Sequence, residues 1–414
     1  MRTAPPRPSA AAAKSHYRKD LKTLAENRLE PKMKIQNLLF GCLIAVSALF
    51  AASAFSEDKA PIALWSASEP FPRDGDIELI DQALVRYQQI HTAQKPITFA
   101  IGAAFVNFNE TWRASWAANP DGVSENEGTE FVREITSTDK ANTWSETLPL
   151  APQLDGEVFH SHGSYLVHDE TLYFFAKQGP FNGPTKAFKL DAEGASWKDL
   201  GIVTNNDATF WPMDAPQQMA NGQWIMGGLG GETGKFPAVA IANDDNILKW
   251  EVTLLPKGEF RGFGETTVIT KGNEILAISR NAAMKSPMVS TSADAGKTWD
   301  GPKVANTAMI PAKPYGGRLS NGRPYLICNI PALTSKVSRS RLCLLLGQAE
   351  GMTFDRVWLL RANDPPAARF SGPQHKPQWA YPYAHEHNGA LYIAHHNAKE
   401  DIELIVIPLE ALEQ

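Results

Sequence analysis

The chain has 414 residues, 43% of them hydrophobic, with 40 basic and 45 acidic side chains and three cysteines. There is ample apolar material for a large core, and the acidic balance argues against nucleic acid as a partner, because phosphate binding needs basic patches. The cysteines lack zinc-ligand spacing, so no metal is expected, and no cofactor either.

Residues 1–32 are rich in Ala, Pro and basic side chains and show no sustained apolar pattern. They read as an upstream extension or disordered tail. Met33 and Lys34 then open a second candidate start, followed by the apolar run Leu38 to Phe50 and the small-residue pattern Ala52-Ser53-Ala54. That order is a signal peptide over 33–54, and the run is too short for a membrane span. A secreted or periplasmic protein is expected, with no membrane span in the mature chain. Residues 1–54 hold 9 basic and 3 acidic side chains, which leaves 31 against 42 and a net charge of −11. One folded domain is expected over 60–414. Asp76 to Gln94 places Ile77, Leu79, Ile80, Leu84 and Tyr87 at helical spacing and predicts a helix.

From residue 103 onward a unit recurs: an apolar strand, a tight polar turn, a second apolar strand. The turns begin at Asn109, Asp169, Asn221, Gly272, Asn321 and Asn388, in steps of 60, 52, 51, 49 and 67 residues. Asn-Gly between apolar runs signals a type I′ hairpin, which needs positive φ at both central residues. A period near 50 residues with a hairpin in every unit marks propeller blades. The fold class is therefore all-β, a six-bladed β-propeller, with a seventh blade from residues 60–98 as the alternative. After the signal segment only Cys328 and Cys343 remain, both in strand-like runs, either bridged or as two buried thiols.

A second repeat lies between the hairpins. Ser292-Ala-Asp294-Ala-Gly296-Lys-Thr298-Trp299 matches the S-x-D-x-G-x-T-W Asp-box, and Ser137 to Trp144 is a copy with Ala141 at the Gly position. Asp191 to Trp197, Asp244 to Trp250 and Glu350 to Phe354 are looser copies. With these motifs the chain resembles the sialidase (neuraminidase) superfamily of BNR-repeat propellers. The Asp closes a turn on backbone N–H groups and the Trp plugs the space between blades, so the box marks fold rather than chemistry.

The resemblance extends to chemistry in two blades. Glu265, strand, turn, strand, Arg280, Asp-box follows the order of the family blade in which Glu activates a nucleophilic Tyr and Arg grips a substrate carboxylate. Tyr381, with Tyr383 as the alternative, falls where the family carries that Tyr. Arg339 or Arg341 is implied as a further carboxylate clamp. The acid/base position falls among Asp121, Glu125 and Glu127, of which Glu127 is the first choice. The pattern departs at Phe99-Ala100-Ile101-Gly102, where the family has Phe/Tyr-Arg-Ile-Pro; Arg113, across the hairpin, is the candidate replacement. The implied activity is exo-glycosidase cleavage of a terminal acidic sugar from a carbohydrate or glycoconjugate, by a monomer.

Two other chemistries fit. His160 and His162 precede the second hairpin, and His385, His387, His395 and His396 cluster in the last blade. Neutral His is a good base near pH 7. His162 with Tyr381 and an Arg would suit a uronate lyase, with His160 as a binding residue. The missing Arg equally suits a glycan-binding propeller without catalysis. Trp211 reads as a packing plug.

Overall fold

The computed structural model describes residues 61–413 apart from Asn126, residues 152–158, Glu259 and Thr334; the 1–32 extension and the 33–54 signal peptide lie outside the described residues. Each of the six predicted turns folds an innermost strand back onto its neighbour, and each hairpin grows outward into an antiparallel sheet. Blade 1 comprises Ile97–Phe108, Thr111–Pro120, Phe131–Ser137 and Leu148–Ala151. Blade 2 comprises His160–His168, Thr171–Gln178, Thr185–Leu190 and Trp197–Ile202. Blade 3 has a split inner strand, Phe210–Pro212 and Gln217–Gln218, then Trp224–Gly230, Phe236–Ala242 and Glu251–Leu254. Blade 4 comprises Thr266–Lys271, Glu274–Ser279, Met288–Ser292 and Asp300–Val304. Blade 5 comprises Tyr315–Arg318, Pro324–Asn329, Leu342–Leu346 and Arg356–Arg361. Blade 6 comprises Trp379–His387, Ala390–Asn397 and Asp401–Pro408, with Arg86–His91 as its outer strand.

Each blade touches its neighbours through its inner strands, and blade 6 closes on blade 1 through Trp379–His387 against Ile97–Phe108. An inner strand therefore packs on both faces and reads as a continuous apolar run; Thr98 to Val106 is buried throughout. The same packing puts the aromatic rings between sheets, with Phe105 stacked on Trp112 at 5.0 Å and Phe175 edge-on to Trp250 at 5.4 Å.

The turns divide by chemistry. Asn109-Glu110, Asp169-Glu170 and Asn388-Gly389 have positive φ at both residues, the type I′ geometry. The Asn221-Gly222 and Asn321-Gly322 turns correct the type I′ expectation: only the Gly has positive φ. The Gly222 N–H donates to Met219 O at 3.0 Å and the Met219 N–H to Gln223 O at 2.8 Å, so Gly sits one place later, as a bulge closing a wider turn.

In the Asp-box of blade 4, Asp294 Oδ1 accepts the Thr298 N–H at 2.8 Å and Oδ2 the Thr298 hydroxyl at 2.7 Å. These bonds, with one from Ser292, hold the Asp294 carboxyl down at about 2. Ala141 takes the left-handed place of Gly in the blade 1 copy, at φ +60°. Asp191 closes a similar turn on the Ala195 and Ser196 N–H groups. The copy at Asp244 differs: its Oδ1 accepts from Trp224 Nε1 at 2.7 Å and lies 3.1 Å from His168 Nε2, tying strands rather than closing its own turn.

The predicted helix over Asp76–Gln94 is not formed, and residues 60–98 do not build a seventh blade. A 3₁₀ turn at Asp74–Asp76 is followed by the strand Arg86–His91, which pairs with Asp401–Pro408 from Arg86↔Val406 onward. The apolar spacing that mimicked a helix is used along blade edges: Leu79 bridges to Leu359, and Ile77 and Ile80 are buried. The open edge of the last blade is a row of unpaired backbone groups, and pairing it outweighs local helix preference. Cys328 and Cys343 are free, buried and directly opposite each other in blade 5.

Candidate active site

A cavity of about 360 Å³ is lined by residues from every blade, which places it at the axis. Blade 4 supplies the Glu265–Arg280 pair. Glu265 precedes the inner strand and Arg280 follows the second one, and the Arg280 N–H donates to Glu265 O at 2.9 Å. That last rung sets the side chains side by side, with Nη1 to Oε2 at 2.5 Å. Burial works against the Arg280 guanidinium, but the Glu265 carboxylate, and then Tyr381 and Glu125, hold its pKa above the ordinary arginine value.

Blade 6 supplies Tyr381, which lines the cavity. The inner strand bulges between Ala380 and Tyr383, and Tyr381 sits at φ +58°. A bulky residue in the left-handed region costs on the order of 1–3 kcal/mol and persists only where the surroundings impose it. Those surroundings are Phe99 and Ile101 of blade 1, and His396 edge-on at 6.2 Å. The bulge aims Tyr381 into the cavity, while Tyr383 turns away and packs on Tyr315 at 4.7 Å.

Arg339 precedes the third strand of blade 5 and reaches the same cavity. Its Nη1 donates to Gln378 Oε1 and its Nη2 to Pro311 O, both at 2.8 Å, and its guanidinium lies 5.8 Å from the Tyr381 ring centre. Both acceptors are neutral, so Arg339 faces the cavity without a neutralising carboxylate from the described residues.

Lys399 was not foreseen. It sits in the turn after Ala390–Asn397, at φ +59° following Ala398 at +55°. Its Nζ donates to Glu125 Oε2 at 2.7 Å and Gln374 Oε1 at 2.6 Å and stands 5.1 Å from the Tyr381 ring centre. Burial disfavours the ammonium, yet Tyr381 and Glu125 together raise its pKa.

His162 also lines the cavity, 4.7 Å from Trp211, whose Nε1 donates to His162 O at 3.0 Å. A Cβ on Gly102 would lie 2.0 Å from the His162 ring, so the His fits only because residue 102 has no side chain. Burial, and then Lys313, His396, Lys177 and Lys399, depress the His162 pKa well below the usual range, and the ring is neutral at pH 7. Trp211 is at once packing and cavity wall, and with Phe181, Phe263 and Leu229 it makes one side apolar.

Two buried ionisable groups, Asp214 and Lys313, join neighbouring blades. Asp214 accepts the Gly227 N–H at 2.6 Å, the Val268 N–H at 2.7 Å and the Thr267 hydroxyl at 3.0 Å. Lys313 Nζ donates to Pro382 O at 2.9 Å. Burial pushes the Asp214 carboxyl up and the Lys313 amine down.

Five sequence candidates lie elsewhere. Glu127 is exposed on its loop; two positions earlier, Glu125 turns inward to Lys399. Asp121 pairs with Lys95 at 2.7 Å outside the cavity. Arg113 pairs with Glu134 at 2.9 Å and donates to Gly194 O at 2.8 Å, buried between blades 1 and 2, and does not replace the arginine absent at Ala100. Arg341 follows the turn that carries Arg339 and does not line the cavity; its Nε donates to Asp74 Oδ1 at 2.6 Å. His160 is buried two residues from His162, edge-on to Phe188 at 5.4 Å, and does not line the cavity. In blade 6, His385 and His387 stand edge-on to Trp112, and His395 and His396 are fully buried. Among the described residues no group of three or more His, Cys, Asp or Glu side chains is arranged to hold a metal ion.

Six four- to five-stranded sheets around an axial cavity define a class, the six-bladed β-propellers. The chain belongs to the BNR repeat-like domain family, whose sequence profile matches residues 110–393. No curated protein matches the sequence significantly. Among solved structures, a protein of unknown function from Dyadobacter fermentans is 13% identical with a TM-score of 0.62, covering 78% of this chain and 99% of its own. The Trypanosoma rangeli sialidase, solved as a covalent intermediate with 2,3-difluorosialic acid, is 14% identical with a TM-score of 0.58, over 80% of this chain and 60% of its own. The intramolecular trans-sialidase from Ruminococcus gnavus is 10% identical with a TM-score of 0.58, over 78% and 98%. At these identities the likeness is one of fold.

Proposed function

We propose that the protein is a retaining exo-glycosidase that removes a terminal acidic sugar from a glycan. The observation that carries this reading is the convergence of Tyr381, the Glu265–Arg280 pair and Arg339 on one axial cavity. Tyr381 Oη attacks the anomeric carbon and passes its proton to Glu265. The leaving oxygen takes a proton from solvent, and Glu125, ionised against Lys399, then accepts the proton of the water that releases the sugar from Tyr381 as Glu265 returns its proton to the phenol. A phenol suits a substrate with a carboxylate near the reacting carbon, since an anionic nucleophile would be repelled. Arg280 and Arg339 hold that carboxylate, and the wall of Trp211 and Phe263 takes an apolar sugar face. Similarity in fold to the Trypanosoma rangeli sialidase supports the reading. Tyr381→Phe keeps the ring packing and removes the nucleophile. It should abolish release of umbelliferone from a 4-methylumbelliferyl sialoside, and retained turnover would sink the assignment.

The neutral His162 in the same cavity favours a second reading, a uronate lyase in which His162 takes the proton beside the carboxylate and Tyr381 protonates the leaving oxygen. It requires an unsaturated, ultraviolet-absorbing product, which a hydrolase does not form. Export through residues 33–54 and action as a monomer complete the proposal; fractionation and light scattering test them.

A further inference from the structure

Ala100 stands where the sialidase pattern carries its first arginine, and it is buried with no side chain to offer a ligand. Its backbone N–H donates to the carbonyl of Lys399 at 2.8 Å. The turn bearing Lys399 is thus fastened to the strand that lacks the arginine. We propose that Lys399 is the third carboxylate-binding cation of the pocket and determines its selectivity for acidic sugars. The proposal rests on the acidic-sugar reading above.

Position supports it first. Lys399 lines the cavity with Arg280 and Arg339, and it approaches Tyr381 within 5.1 Å of the ring centre. Rigidity supports it next. The neighbouring Glu400 accepts the Arg369 and Phe370 N–H groups at 3.0 Å, and His375 Nδ1 lies 3.2 Å from it, so the turn is pinned to the loop that precedes blade 6. Donor count supports it third. An ammonium has three N–H donors. Glu125 and Gln374 take two, which leaves one for a ligand oxygen at the cavity. Charge supports it last: Arg280, Arg339 and Lys399 set three cations around the cavity against the two carboxylates of Glu265 and Glu125, and a substrate carboxylate shared by the cations completes the balance.

The test compares Lys399→Met and Lys399→Arg with the unmodified protein on a 4-methylumbelliferyl sialoside and on its methyl ester. Loss of one charge-assisted bond should lower kcat/KM for the acid roughly 10- to 100-fold, mainly through KM, while the ester changes by less than about 3-fold and the Arg variant keeps most activity. Equal losses on acid and ester would show that Lys399 only positions Glu125, and no loss on the acid would show no role; either overturns the proposal. Lys399→Gln takes the place of the Met variant if that one fails to fold. If the unmodified protein hydrolyses neither substrate, the glycosidase reading fails by itself. Calorimetric titration with free sialic acid and its methyl ester then reads the inference directly: preference for the acid that vanishes in Lys399→Met supports it, and preference unchanged by the substitution overturns it.

Discussion

Glu265→Gln separates a buried ion pair from a decorative one. The Glu265 and Arg280 side chains are 7% and 14% exposed and 2.5 Å apart. Glutamine keeps the shape and one acceptor oxygen but removes the charge, so the Arg280 guanidinium is left in a nearly dry site without its counter-ion. Removing one partner of a buried pair costs about 3–5 kcal/mol; the retained acceptor and slight exposure of Arg280 bring this case below that range, to about 2–3 kcal/mol. The assay is urea unfolding followed by tryptophan fluorescence, read as a shift of midpoint at constant slope. Adding Arg280→Met should recover at least half of the loss, because the orphaned charge is then gone. Raising the salt should leave the loss nearly unchanged, since screening acts weakly inside the pocket. A loss below about 0.5 kcal/mol, or a double variant as unstable as the two single losses summed, would refute the reasoning.

Two further outcomes follow from packing and charge. Gly102→Ala combines φ +69° with a Cβ 2.0 Å from the His162 ring; the left-handed backbone and the overlap together should cost about 2–4 kcal/mol, visible as a lowered Tm. An unchanged Tm would mean that His162 moves freely. Burial lowers the pKa of His91 and His385 to about 4 and of His395 to about 3. Between those values and the ordinary histidine range near 6.5 the unfolded chain binds more protons. Stability contributed by the neutral rings is therefore whole above about pH 6.5 and falls, at up to about 1.4 kcal/mol per pH unit for each ring, on the way down. Melting curves from pH 7 to 5 check this, and His395→Gln should flatten the slope; a slope that does not change with His395→Gln contradicts it.

The ring was legible because its signals are local. Six polar turns and the Asp-box at Ser292–Trp299 depend only on neighbouring residues, and their spacing reports the blade. Glu265, Arg280, Tyr381, His162 and Arg339 were likewise readable from their places beside those hairpins. What failed depended on direction or distance. Arg339 lies in a turn that reaches the cavity while Arg341, past that turn, bonds Asp74, and Glu125 turns inward while Glu127 is exposed on the same loop; sequence shows the residue types but not which one turns inward. Lys399 belongs to the pocket only because blade 6 closes against blade 1, a contact between residues about 300 apart. The segment at Asp76–Gln94 has a helical pattern, and only the vacant edge of Asp401–Pro408 makes it a strand.

That edge has a consequence for how the molecule is made. Arg86–His91 emerges some 310 residues before its partner Asp401–Pro408. Joining strands that far apart carries a loop-closure cost of roughly 5 kcal/mol, so a nascent chain should hold Arg86–His91 unpaired until Asp401–Pro408 has emerged. Without Asp401–Pro408, Ala390–Asn397 would become an exposed edge and Arg86–His91 would lose its partner, while the inner strands Trp379–His387 and Ile97–Phe108 still close the ring.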